Sequence, residues 1–198
     1  RSMGFLEKEV PEAGKSGQSW FVDLSNEGDS APRRKPAAVP PSSPPQRRLS
    51  NTDTTLRRFT VPQKSTYARA MREISKGEKE SCWMWFMIPT PPYVVDGVER
   101  GSARNRRFAL RSDQEVREYL RFEADGVNLR NNYLGLMEAI LDQLKKGRKA
   151  SQLMGVIDEP KLRSSAKLFE KVTRDMDEEL HAVLIQLMKI IKEDPDSE

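Results

Sequence analysis

Two short segments carry side chains in a pattern that could hold an anion. Lys161-Leu162-Arg163-Ser164-Ser165 offers two positive charges and two hydroxyl donors. If these residues open a helix, its unpaired backbone amides add to the attraction, and a guanidinium, an ammonium and hydroxyls together can wrap an oxyanion. Lys79-Glu80-Ser81 repeats part of this set ahead of Trp83 and Trp85. The candidate site is therefore Lys79, Ser81, Trp83, Trp85, Lys161, Arg163, Ser164 and Ser165, an aromatic floor with a basic and hydroxyl rim. The plainer alternative is that the tryptophans are core anchors and the charges solvated.

Other chemistry is sparse. Cys82 is the single cysteine and His181 the single histidine, so no internal disulfide and no Cys/His zinc set can form. Cys82 is expected to be a buried, inert thiol, because no base lies near it in sequence. His181 reads as a boundary residue on a helix. No phosphate-cradling glycine loop, dinucleotide fingerprint or metalloprotease motif is present. We expect no catalytic residues, no metal and no cofactor.

The N-terminal stretch has its own chemistry. Arg47-Arg48-Leu49-Ser50 and Arg57-Arg58-Phe59-Thr60 both match the Arg-Arg-x-Ser/Thr pattern of basophilic kinases, making Ser50 and Thr60 phosphorylation candidates. Trp20, Phe21 and Leu24 form one hydrophobic island that could meet a protein partner. Arg33-Arg34-Lys35 and Arg47-Arg48 resemble a weak bipartite import signal. The expected compartment is the cytoplasm, with the nucleus as alternative.

These residues need elements to position them. Residues 31–64 hold eight basic side chains and one acidic, whereas 65–198 hold 23 of each sign. The basic excess thus sits in the N-terminal part, where weak nonspecific nucleic-acid binding would start. From Glu7 to Lys64 no apolar period persists, and Pro32, Pro36, Pro40, Pro41, Pro44 and Pro45 oppose helix. Residues 1–64 are read as a disordered, basic, proline-rich tail, 65–193 as a helical domain and 194–198 as a disordered end. Within the domain, Tyr67, Ala70, Met71 and Ile74 predict a helix capped by Ser65 and ended by Gly77. Ser112 and Glu115 form a capping box for a second. A third runs from Leu129 to Leu144 and stops at Gly147, a fourth covers 161–172, and a fifth starts near Asp175. With no sustained period-two alternation, the fold class is all-α: a single compact domain of about five to seven helices. No run approaches the roughly 20 apolar residues of a membrane helix, so no membrane partner is expected, and the domain reads as a monomer.

Three blocks resemble a known family. Lys79-x-Ser81-x-Trp83-Met84-Trp85-Phe86-x-x-Pro89, Ala103-x-x-Arg106-Arg107-Phe108-Ala109-Leu110 and Lys161-Leu162-Arg163-Ser164-Ser165-x-x-Leu168-Phe169 follow the order and spacing of the family catalogued as domain of unknown function 1810, over about residues 65–190. The resemblance implies one mainly helical domain of mycobacterial structural type and implies no activity. Cys82 stands where that family usually has histidine, and Thr90 where glutamine is common. Residues and resemblance together favour a helical binding module for a small anionic, phosphate-bearing ligand or a partner peptide, with a regulated tail. The alternatives are an enzyme acting on a phosphorylated or nucleotide-like substrate, and RNA association through the basic tail.

Overall fold

A computed structural model describes residues 51–193, and the expectations for Trp20, Phe21, Leu24, Ser50 and the C-terminal end lie outside them. Eight helices and two small hairpins occur among the described residues: α1 Asn51–Lys76, α2 Met84–Met87, β1 Val94–Val95, β2 Val98–Glu99, α3 Ala103–Phe108, α4 Asp113–Arg121, β3 Glu123–Ala124, β4 Val127–Asn128, α5 Leu129–Lys145, α6 Ala150–Met154, α7 Glu159–Thr173 and α8 Glu178–Glu193. The domain is all-α. Helix starts follow the caps in the sequence: Ser112 accepts from the Glu115 amide, and Asn128 accepts from the Asn131 amide. Gly77 and Gly147, both at positive φ, end α1 and α5 in Schellman turns, with Gly77 N–H on Ile74 O and Glu78 N–H on Glu73 O.

Three features depart from the sequence reading. α1 begins at Asn51, not at a cap on Ser65, whose hydroxyl instead donates to the Pro62 carbonyl within the helix. The early turns belong to the fold because Leu56 and Phe59 are core residues, and because Thr60 and Gln63 are buried with them. Pro62 removes one helix donor, and packing of the opposite face keeps the helix continuous through it. Two hairpins also occur that no period-two alternation predicts. Asp96-Gly97 and Asp125-Gly126 all have positive φ, as type I′ turns demand, and each links two-residue strands. α2, α3 and α6 are too short for their periodicity to register.

α5 is the centre of the domain, burying Leu129, Tyr133, Leu136, Met137 and Ile140 against α1 on one side and α8 on another. α7 lies on α8 and completes the core with Leu162, Ala166 and Phe169. A chain of aromatic rings runs from Phe86 through Phe108, Phe59 and Tyr119 to Phe169, which stacks on Tyr133 at 4.1 Å. Each edge or stacked contact adds roughly 0.5–1.5 kcal/mol beyond burial. The α1–α2–α3 corner is thereby tied to the centre of the molecule.

Candidate functional site

The segment after α1 is organised by one buried carboxylate. Glu73 accepts from the Glu80 and Ser81 amides, from the Ser81 hydroxyl at 2.5 Å and from the Trp83 indole N–H at 2.7 Å. Burial pushes its carboxyl up, but these four donors outweigh burial and hold it below the usual range. Ser81 is thus committed to Glu73. The two tryptophans divide between the readings: Trp83 is fully buried in the core, whereas Trp85 is half-buried at its edge, its indole N–H fixed by Asn105 Oδ1 of α3 at 2.6 Å.

The Lys79 and Lys161 segments meet in space, and the anion between them is the protein's own. Asp158 receives Lys79 Nζ on one oxygen and Lys161 Nζ on the other, both at 2.6 Å. Lys79 also lies 5.2 Å from the Trp83 ring and Lys161 5.4 Å from that of Trp85. Burial pushes the Asp158 carboxyl up, and the two ammonium groups more than offset it, holding it below the usual range. Arg163 is engaged in the same way by Glu159 one turn earlier, at 2.6 Å. Ser165 is buried and donates to the Pro89 carbonyl, with Tyr133 at 3.0 Å. Ser164, with Lys161, lines a groove of about 310 Å3 with Pro91, Pro92, Tyr93 and Ile157. The expected cluster is therefore gathered, but its cations are internally neutralised and two of its hydroxyls bond to the fold. Asp158→Ala leaves Lys79, only 8% exposed, without its counter-ion. We expect a loss of about 2 kcal/mol by urea denaturation, less than the roughly 3–5 kcal/mol of a fully buried pair because Lys161 retains water. Asp158→Asn, which keeps one acceptor, should lose less.

A different set of cations faces open space. A cleft of about 730 Å3 lies between α1, the α2 segment and α3; Val61, Pro62, Trp85, Phe86 and Phe108 form its apolar walls and Arg57, Arg58, Arg104 and Arg107 its charge. Among the described residues, its lining contains no carboxylate. Arg57 is held by Asp125 and Arg58 by Glu115, both outside the lining. Arg104 and Arg107 are exposed and have no carboxylate within salt-bridge distance among the described residues. Three guanidiniums rest on rings: Arg58 on Phe59 at 4.5 Å, Arg104 on Trp85 at 5.2 Å and Arg107 on Phe108 at 5.4 Å. A guanidinium lying on a ring is fixed in plane while its N–H edges remain able to donate.

The model of the family described as "protein of unknown function (DUF1810)" matches residues 53–195. The chain belongs to this family. Among solved structures, it is similar to the crystal structure of a conserved hypothetical protein, Rv1873, from Mycobacterium tuberculosis, at 24% identity and a TM-score of 0.56, covering 68% of this chain and 84% of that one. No curated protein matches. The family model starts at residue 53, which agrees with the early turns of α1 lying inside the DUF1810 domain.

The remaining candidates also have places in this DUF1810 domain. Thr60 is fully buried and its hydroxyl donates to Asp125 at 3.2 Å. The Arg57-to-Thr60 motif is thus helical, with Arg57 and Arg58 at the cleft and the Thr60 hydroxyl inside the fold, and not the extended chain that the motif presupposes. Cys82 is exposed, not buried as expected, because the turn that aims Ser81 and Trp83 at Glu73 leaves its thiol on the cleft side. His181 sits against the Glu170 carbonyl and the Thr173 hydroxyl, apart from the cleft. No group of three His, Cys, Asp or Glu residues able to hold a metal occurs among the described residues, and no described helix is long and apolar enough to cross a membrane. The cleft arginines are not legible as a set in the sequence because Arg57 and Arg58 fall in the stretch whose composition reads as tail. The signal that is legible is the Arg104-x-x-Arg107 pair beside an aromatic residue.

Proposed function

We propose that the domain is a binding module for a small anionic ligand, seated in the arginine–aromatic cleft between α1, α2 and α3. The observation that carries this reading is a cleft of about 730 Å3 whose lining, among the described residues, has four arginines and no carboxylate. That volume lies within the roughly 300–1,000 Å3 of small-molecule sites. Cations whose counter-ions lie outside the lining, and two with none among the described residues, favour an external anion. The apolar walls favour an anion with a flat or apolar body, and a phosphate-bearing mononucleotide has both parts. Trp85 links the cleft to the Lys161 segment, so a ligand at the cleft would also be sensed there.

Titrating the full chain with AMP and with pyrophosphate should shift the amide resonances of residues 82–86 and 104–108. A charge-assisted hydrogen bond contributes roughly 1.5–3 kcal/mol. Arg104→Ala and Arg107→Ala should therefore each weaken AMP at least about tenfold, with little loss of stability because both side chains are exposed. Pyrophosphate should bind more weakly than AMP if the apolar walls contribute. Shifts that survive removal of both arginines, or no shifts at all, would reject the cleft as the seat.

A further inference from the structure

The cleft is one end of a longer basic track. At about 100° per residue, Arg57, Arg58, Arg69, Arg72 and Lys76 of α1 fall on one face. It is the same face that presents Val61, Pro62 and Ser65 to the cleft. Leu56, Phe59, Gln63, Ala70 and Ile74 occupy the opposite, buried face. From Leu56 to Lys76 the only acidic residue is Glu73, which is buried and committed to the turn after the helix. Arg69 and Arg72 are exposed and, among the described residues, have no carboxylate within salt-bridge distance. Across the cleft, α3 (Ala-Arg-Asn-Arg-Arg-Phe) contains three arginines and no acid.

We infer that this track binds single-stranded nucleic acid, with the phosphate backbone following α1 and bases entering the cleft. The inference rests on the reading of the cleft as an anion seat and extends it from one phosphate to a strand. Arg57 to Arg72 spans about 22 Å at 1.5 Å per residue, room for about six nucleotides at roughly 3.4 Å per step. Site sizes for unspecific single-strand binders run from about 4 to 16 nucleotides. Half-buried Trp85 and Phe86, and the guanidiniums lying on Trp85 and Phe108, are flat surfaces on which an unpaired base can stack. A duplex has its bases paired and offers no such face at this depth. An acidic peptide would satisfy the charges but leave the flat surfaces unused, so the pairing of both features selects the single strand.

The test uses the full chain with a fluorescent oligouridylate of about ten nucleotides, the same length of duplex RNA, polyglutamate as acidic competitor, and AMP. Oligouridylate should bind more tightly than the duplex and resist polyglutamate. It should also quench Trp85 fluorescence, read as the quenching seen in a Trp20→Phe variant, where Trp83 and Trp85 remain, and lost in Trp20→Phe with Trp85→Phe, where only buried Trp83 remains. Arg69→Gln with Arg72→Gln removes two phosphate contacts, so the slope of log affinity against log salt should become shallower by about 1.4, equivalent to about twentyfold weaker binding near 0.1 M salt. AMP binding should stay within about twofold in that variant, because both substitutions lie outside the cleft lining. Oligouridylate binding that ignores Arg69 and Arg72 and leaves Trp85 unquenched would place the contact in residues before α1 and overturn the inference. Displacement by polyglutamate at equal charge would overturn it in favour of an acidic partner. If AMP binds and the strand does not, the inference alone fails; if the strand binds through Arg69 and Arg72 while AMP does not bind, the small-ligand reading fails instead.

Discussion

Trp83→Ala is expected to destabilise the domain by about 3–5 kcal/mol, the range for deleting a large buried aromatic with its packing. Trp83 is fully buried between Glu73 and the core, its indole N–H donates to that carboxylate at 2.7 Å, and Lys79 covers its ring. The substitution opens a void and also removes one of the four donors of a buried charge, so the upper part of the range is expected. Against a typical total of roughly 5–15 kcal/mol, such a loss brings partial unfolding near body temperature. Urea denaturation measures it, and Trp85→Ala is the internal control. Trp85 is half-buried at the cleft edge, so its truncation should cost about 1–2 kcal/mol and should weaken ligand in the cleft. If the two costs are equal, or their order is reversed, the division of the pair into a core residue and a cleft residue is wrong.

The pair shows which parts of this fold are legible in sequence. Helices whose buried face is apolar, such as α5 with Leu129, Tyr133, Leu136, Met137 and Ile140, announce themselves by period, and caps at Ser112 and glycines at 77 and 147 mark their ends. α1 was only half visible. Its buried face runs Leu56, Phe59, Thr60, Gln63, Ala70, Ile74, and the polar members hide the period from hydropathy. Gln63 earns burial by bonding: it donates to the Phe86 carbonyl and Tyr119 hydroxyl and accepts from Asn132. Thr60 is bound to Asp125 in the tip of the second hairpin. Partners that distant in sequence cannot be inferred from composition. The same limit explains the candidate site. Residue types suited to an anion stand at Lys79, Lys161 and Arg163, but local sequence does not reveal that Asp158 and Glu159 fold back to neutralise them. Short-range acids can be read as caps or as counter-ions, and only packing decides.

Glu73 carries the other large effect, and it separates the hydrogen-bond network from the bulk of the core. Glu73→Gln keeps shape and one acceptor oxygen while presenting an amide N–H2 group to donors that need an acceptor. The Ser81 amide and hydroxyl, the Glu80 amide and the Trp83 indole all point at this carboxylate. Hydrogen bonds to a charged group contribute roughly 1.5–3 kcal/mol each and are not additive, so a loss of about 2–3 kcal/mol at neutral pH is expected. Acid should mimic the substitution. The folded pKa of Glu73 lies below its ordinary 4.5, so the stability it contributes is fully present above about 4.5 and is lost as pH falls through the lowered folded value. Asp158 and Asp177 are displaced in the same direction, by Lys79 with Lys161 and by Arg130 respectively, so acid destabilises the natural chain at several points. In Glu73→Gln the first of these contributions is absent, and the curve of unfolding free energy against pH should be shallower below about 4.5 while keeping the part due to the two aspartates. A variant with natural stability at pH 7, or one with an acid limb as steep as that of the unsubstituted chain, would show that the carboxylate does not organise the turn between α1 and α2, and the cleft wall that this turn positions would need another support.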